Sequence, residues 1–229
     1  MLERPEVNTT VDAVPDDAAL IGLLDRHAPF RSIPLLPEIS VFYGQSLVET
    51  WEAAEKLAGR ILPAPFWAYP WAGGVALARV ILDHSQWFRE KRVLDFGCGG
   101  GVAGIAAARA GATHVIANDV DGWALSVARI AAERQGLRVT PSLEDFTETM
   151  NLPDADILLC SDLAYEKQPA PQQRAVLERA RAAGMRVLVA DAGRTYFDDR
   201  NLKLLGQFEI DVPRDLEGVD RRVARVFEF

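Results

Sequence analysis

The sequence predicts an α/β fold, a three-layer sandwich around a mostly parallel sheet with an antiparallel hairpin at its C-terminal end. Three observations carry that reading. Short apolar runs at residues 92–96, 114–118, 156–161 and 185–191 alternate with helical stretches, as in parallel crossover units. A glycine-rich turn joins the first of these runs to an alanine-rich helix. The two runs at 207–212 and 221–229 leave no room for a helix between them, so they pair as a hairpin and make the sheet mixed.

In chain order, residues 1–14 read as a frayed lead. Pro15, Asp16 and Asp17 then start a short helix to about Arg26, with carboxylates well placed at its amino end. Residues 29–37 carry too much proline for regular structure, and 47–57 suit a second helix. The stretch ILPAPFWAYPWAGG, residues 61–74, concentrates aromatics, prolines and glycines. That composition suits a shaped loop over a pocket, or an apolar plug between an extension and the core. Residues 75–88 return to helical spacing, with Val75, Leu77, Ala78, Ile81 and Leu82 on the apolar side. The regular part follows: strand 92–96, helix 102–110, strand 114–118, helix 123–134, strands 137–141 and 156–161, helix 172–183 and strand 185–191. Residues 1–60 form an N-terminal helical extension packed on the core, and 61–229 the α/β domain.

Composition narrows the function. The 229 residues are 49% hydrophobic and 25% charged, and the longest apolar runs are broken well before membrane-spanning length. A net charge of -8 opposes condensation onto nucleic acid or anionic lipid, so the expected partner is a protein or a small molecule, with no nucleic acid and no membrane. The two cysteines, Cys98 and Cys160, and three scattered histidines supply neither a disulfide framework nor a zinc cluster, and no metal is expected. Residues 1–17 have no apolar signal core and carry five acidic side chains, which leads to the expectation of a cytoplasmic protein. A monomer is expected.

VLDFGCGGGVAG, residues 93–104, is the sharpest local signal. Gly97, Gly99 and Gly101 stand between a buried strand and a helix, where a missing Cβ lets a ligand approach the backbone at the carboxyl edge of the sheet. Gly99, Gly101 and Gly104 satisfy the dinucleotide fingerprint, with Asp119 at the distance of an acid that grips a ribose diol. Taken alone, that match leaves a nicotinamide dinucleotide and S-adenosylmethionine both open. Asp95, an acid inside the strand end, favours the second, because a carboxylate suits a cationic sulfonium better than a pyrophosphate. Val120 and Trp123 fall near the expected adenine region, with a core or helix-packing role equally open for Trp123, and Asp145 follows the third strand, where it could receive the adenine amino group or serve only a surface loop. CSDLAYE, residues 160–166, follows a buried strand, so Asp162 and Tyr165 emerge at the same edge. A neutral amine attacking a methyl sulfonium needs its lone pair aimed, not a covalent intermediate. Asp162 is assigned to orienting the amine and aiding proton loss, and Tyr165 to one wall of the site.

At these residues the chain resembles the seven-strand methyltransferases of Rossmann-like fold, and within them the protein-lysine methyltransferase family 16. The resemblance is greatest to the electron transfer flavoprotein beta-subunit lysine methyltransferases, bacterial members included. It spans roughly residues 36–229 and is most specific in PFWAYPWAGGVALARVILD. Relatives often carry WPGG where this chain has Trp71, Ala72, Gly73 and Gly74. The resemblance implies a seven-stranded sheet, cofactor contacts from Asp95, Gly97, Gly99 and Gly101, and ribose binding by Asp119. It also implies that Trp71 lies by the cofactor and the substrate entrance, and that Asp162 to Tyr165 form the acidic-x-x-aromatic motif near a target lysine. The implied reaction methylates lysines of the electron transfer flavoprotein beta subunit and releases S-adenosylhomocysteine. Other targets in the same class are a ribosomal protein or a small amine; different classes are a nicotinamide-dependent oxidoreductase or a binding module without activity.

Overall fold

The computed structural model describes residues 14–165 and 167–229, so the reading of 1–14 as frayed lies, except for Val14, outside the described residues. Helix α1 (Asp17–His27) starts where the Asp16 carboxylate accepts the Ala19 amide at 3.0 Å, and it buries Leu20, Leu23 and Leu24. The proline-rich stretch after it is regular, contrary to expectation. It forms an antiparallel pair, β1 (Phe30–Ile33) and β2 (Leu36–Phe42). Pro34 lies in the turn and Pro37 falls where the register slips, so neither is asked for a ladder N–H. Helix α2 (Leu47–Ala58) follows, capped by Ser46 and ended by Gly59 at φ +66. The first sixty residues therefore contain a hairpin as well as helices. Gln135 fastens that hairpin to the core, accepting the Ser40 amide at 2.8 Å and donating to the Ser40 carbonyl at 3.0 Å.

Helix α3 (Ala72–Asp83) begins three residues earlier than its apolar spacing predicts, and Trp71 is its N-cap residue. The remaining elements are β3 (Arg92–Phe96), α4 (Val102–Arg109), β4 (His114–Asn118), α5 (Gly122–Glu133), β5 (Thr140–Ser142), β6 (Ile157–Ser161), α6 (Pro169–Ala182), β7 (Arg186–Asp191), β8 (Lys203–Asp211), α7 (Arg214–Glu217) and β9 (Arg221–Glu228). Seven strands form one sheet in the order β5-β4-β3-β6-β7-β9-β8. Five are parallel, and β9 runs antiparallel between β7 and β8. Alternate residues along the central strands face opposite layers. Val93, Leu159 and Leu188 join the core that also holds α3, α4 and α5 residues, while Leu94, Leu158 and Val187 join the one that holds Val176, Leu177 and Ala180 of α6.

Two further differences have local causes. The third parallel strand is Thr140–Ser142, not 137–141, because the Leu137 amide is spent on the Ala132 carbonyl as α5 ends. Its Pro141 is tolerated on an edge strand. The one-turn α7 sits in the β8–β9 connection where no helix was expected, and it ends at Gly218 with φ +72. Among the described residues, no helix is long and apolar enough to cross a membrane.

Candidate functional site

Parallel register aligns the strand ends. Phe96 lies opposite both Asn118 and Cys160, and Ser161 opposite Ala190, so the loops after β3, β4, β6 and β7 meet at one edge. Gly97, Gly99 and Gly101 all have positive φ in the first of these loops. At Gly99, φ is +51 and open space lies where a side chain would begin, which leaves its backbone approachable. Gly100 differs, since a Cβ there would meet the Trp67 carbonyl oxygen at 2.6 Å. Backbone cannot yield as a side chain can, so Gly100→Ala is expected to lower stability by about 1–3 kcal/mol. A thermal melt indistinguishable from wild type would contradict this packing.

Asp95 is buried at the end of β3, where its Oδ2 accepts the Gly104 amide at 2.8 Å. Burial, aided by the nearby Asp119 charge, pushes its carboxyl up to about 7 despite that hydrogen bond. Asp119, half-buried after β4, ties the two loops together by accepting the Gly99 amide at 2.8 Å and the Asp121 amide at 3.1 Å. Burial raises its pKa too. Val120 is exposed beside it. Trp123 is a core residue, 2% exposed and stacked on Trp67 at 5.8 Å, which leaves no adenine face on it. Asp145 accepts the hydroxyl and amide of Thr147 at 2.6 and 2.8 Å, and so caps a turn. The chain just before it is drawn to β4 by Asn118, whose amide donates to the Ser142 and Glu144 carbonyls.

Asp162 follows β6 with φ +51, a left-handed conformation rare for a side-chain-bearing residue. Its carboxylate holds it there. Oδ2 accepts the Gly73 amide at 2.5 Å, while Oδ1 accepts the Ala192 amide and Arg194 Nε, both at 3.2 Å. Gly73 lies in the first turn of α3, whose free amides favour an anion, and a Cβ there would collide with the carboxylate. Gly73 thus gives Asp162 its seat. Burial raises the Asp162 pKa, opposed by Arg194 and the two amides. Trp71 Nε1 donates to the Phe66 carbonyl at 2.9 Å, and the Phe66 ring meets Trp71 edge-on at 5.4 Å and Tyr165 at 6.0 Å. Trp71, Tyr165 and Asp162 therefore belong to one corner, while Asp95, Asp119 and the glycine loop form its neighbour. Arg194 escaped the sequence reading, although it lies three residues beyond a strand ending at this edge. Its guanidinium stands 5.4 Å from the Trp71 ring centre.

A methyltransferase domain model matches residues 93–185, from β3 to the start of β7. The electron transfer flavoprotein beta subunit lysine methyltransferase of Danio rerio is 32% identical over 182 residues, covering 79% of this chain and 70% of the relative. Its Xenopus laevis counterpart is 32% identical over 190 residues, covering 81% and 76%. The chain belongs to the electron transfer flavoprotein beta subunit lysine methyltransferase family. As a family member it is an S-adenosylmethionine-dependent methyltransferase. The fold is shared with the Pyrococcus abyssi tRNA (uracil-54, C5)-methyltransferase in complex with S-adenosylhomocysteine, at TM-score 0.50 and 16% identity, over 71% of this chain and 38% of that one.

The edge fits this cofactor. Space opens above Gly99, and the Asp119 carboxylate beside it is an acceptor suited to ribose hydroxyls. Asp95 offers a buried carboxyl behind the loop. Because the fold raises its pKa above the unfolded value, Asp95 takes up a proton on folding near neutrality, and stability falls as pH rises toward 7. A cationic ligand reverses that balance by favouring the ionised acid. Affinity for S-adenosylmethionine is therefore expected to climb as pH rises through about 7, and Asp95→Asn to flatten the curve; calorimetry across that range tests it.

Proposed function

We propose that this chain transfers methyl groups from S-adenosylmethionine to lysine side chains of the electron transfer flavoprotein beta subunit, and that Asp162 orients the amine. The observation that carries the substrate is the match to relatives named for it, over about four fifths of this chain. In this reading residues 1–60 are an extension and 61–229 the catalytic domain. A cytoplasmic location is part of the proposal, supported by two cysteines that stand unpaired.

When bound, S-adenosylmethionine supplies an electrophilic methyl group on sulfur and leaves as S-adenosylhomocysteine. Gly97, Gly99, Gly101, Asp95 and Asp119 hold it at the sheet edge, with Trp71, Val120 and Asp145 at its margins. Asp162 accepts an N–H of the neutral lysine amine and so turns the lone pair toward the methyl carbon. Tyr165, with Phe66 and Trp71, walls the approach and keeps water off the amine.

Incubating the recombinant flavoprotein subunit with the enzyme and methyl-labelled cofactor tests the substrate. Label on lysine, located by mass spectrometry, is the expected result. Absence of label there, with transfer to a ribosomal protein or a small amine, would overturn it.

A further inference from the structure

Asp162 is held by more than its two backbone amides. Arg194, 14% exposed, points its Nε at Asp162 Oδ1, while its two terminal nitrogens fork onto Glu217 at 3.1 and 2.9 Å. Glu217 is 3% exposed and also accepts Arg222 Nε at 3.1 Å, and Arg222 reaches the Glu217 carbonyl at the same distance. Asp191 fixes the turn that carries Arg194, accepting the Gly193 and Arg194 amides at 2.6 and 2.7 Å. A buried chain of ion pairs therefore runs from α7 through Arg194 to Asp162. Such chains are expensive to bury and weak as sources of stability, which leaves geometry as their return.

The geometry is asymmetric. Oδ1 already takes two donors, the Ala192 amide and Arg194, whereas Oδ2 takes the Gly73 amide alone. A carboxylate oxygen accepts about two hydrogen bonds, so Oδ2 has the remaining capacity. We propose that Arg194, anchored by Glu217, is the positioning residue of this site: it clamps Asp162 Oδ1 and thereby presents Oδ2 to the substrate amine. This rests on the assignment of Asp162 to the amine. The charged groups around Asp162 are Asp191 and Arg194 from the β7 end, Glu217 behind Arg194, and Lys167, Arg174 and Asp198, which line with it a cleft of about 430 Å³ on the α6 side. Arg194 is the one in contact, and it holds the carboxyl down against burial.

Three variants test the clamp through pH profiles of kcat/KM, with S-adenosylhomocysteine affinity as the check on folding. Arg194→Gln is expected to lower kcat by about tenfold or more, with little change in KM, and to move the acidic limb to higher pH. Arg194→Lys keeps the charge but not the fork, so its limb stays near wild type while kcat falls between the two. Glu217→Gln leaves the guanidinium unanchored and lowers kcat without raising the limb. A wild-type kcat and limb in Arg194→Gln, with cofactor affinity retained, would overturn the proposal. Should that variant lose cofactor binding, a wild-type kcat in both Arg194→Lys and Glu217→Gln would overturn it. The assignment beneath it fails separately, if Asp162→Asn turns over normally.

Discussion

Asp162→Asn lowers kcat by at least ~100-fold and leaves S-adenosylhomocysteine affinity close to wild type, because the lost group orients the amine and not the cofactor. The asparagine keeps the size of the side chain but replaces one acceptor by a donor. Turned one way, its amide nitrogen meets the Gly73 N–H; turned the other, it meets the Ala192 N–H and Arg194. Either choice sets donor against donor and removes the charge that balances Arg194. A lost charged hydrogen bond is worth about 1.5–3 kcal/mol, so a lower melting temperature accompanies the lost turnover. The rate is therefore read on protein shown by calorimetry to bind cofactor. Wild-type turnover in that protein would remove Asp162 from the chemistry.

Asp119→Ala has the opposite signature. Two ribose hydroxyls lose a charged acceptor, at about 1.5–3 kcal/mol each, so the Kd for S-adenosylmethionine rises by at least ~100-fold. The Gly99 and Asp121 amides lose their acceptor as well, which loosens the loop that must close on the ligand. At saturating cofactor, kcat falls far less than in Asp162→Asn. Isothermal titration with S-adenosylhomocysteine measures the loss, and unchanged affinity would take Asp119 away from the ribose.

Local chemistry made part of this molecule readable. β3 and β4 run from residue to residue as expected, because short apolar runs bounded by charge and glycine have no other economical use. The glycine loop and Asp119 were legible for a similar reason: spacing along the chain sets their separation in space. The hairpin β1–β2 was hidden by Pro34 and Pro37, whose places in a turn and a register slip depend on the partner strand. The early start of α3 was hidden as well, since glycines read as loop until the Asp162 carboxylate on the Gly73 amide is seen. Arg194 and Glu217 stand 23 residues apart with a strand between them, and pairing at that range leaves no periodic trace. The nearest signal was Asp191, Gly193 and Arg194 after a buried strand, at the edge where the glycine loop also ends.

Strand order imposes a timetable on synthesis. β8 leaves the ribosome before β9, yet its place in the sheet exists only once β9 has slotted in beside β7. Until then β8 has no partner and the β7 edge, apolar at residues 187–190, stands open, an invitation to other unfinished chains. A chain cut between β8 and β9 is thus expected to lose both outer strands of the sheet and to associate more readily than the whole protein.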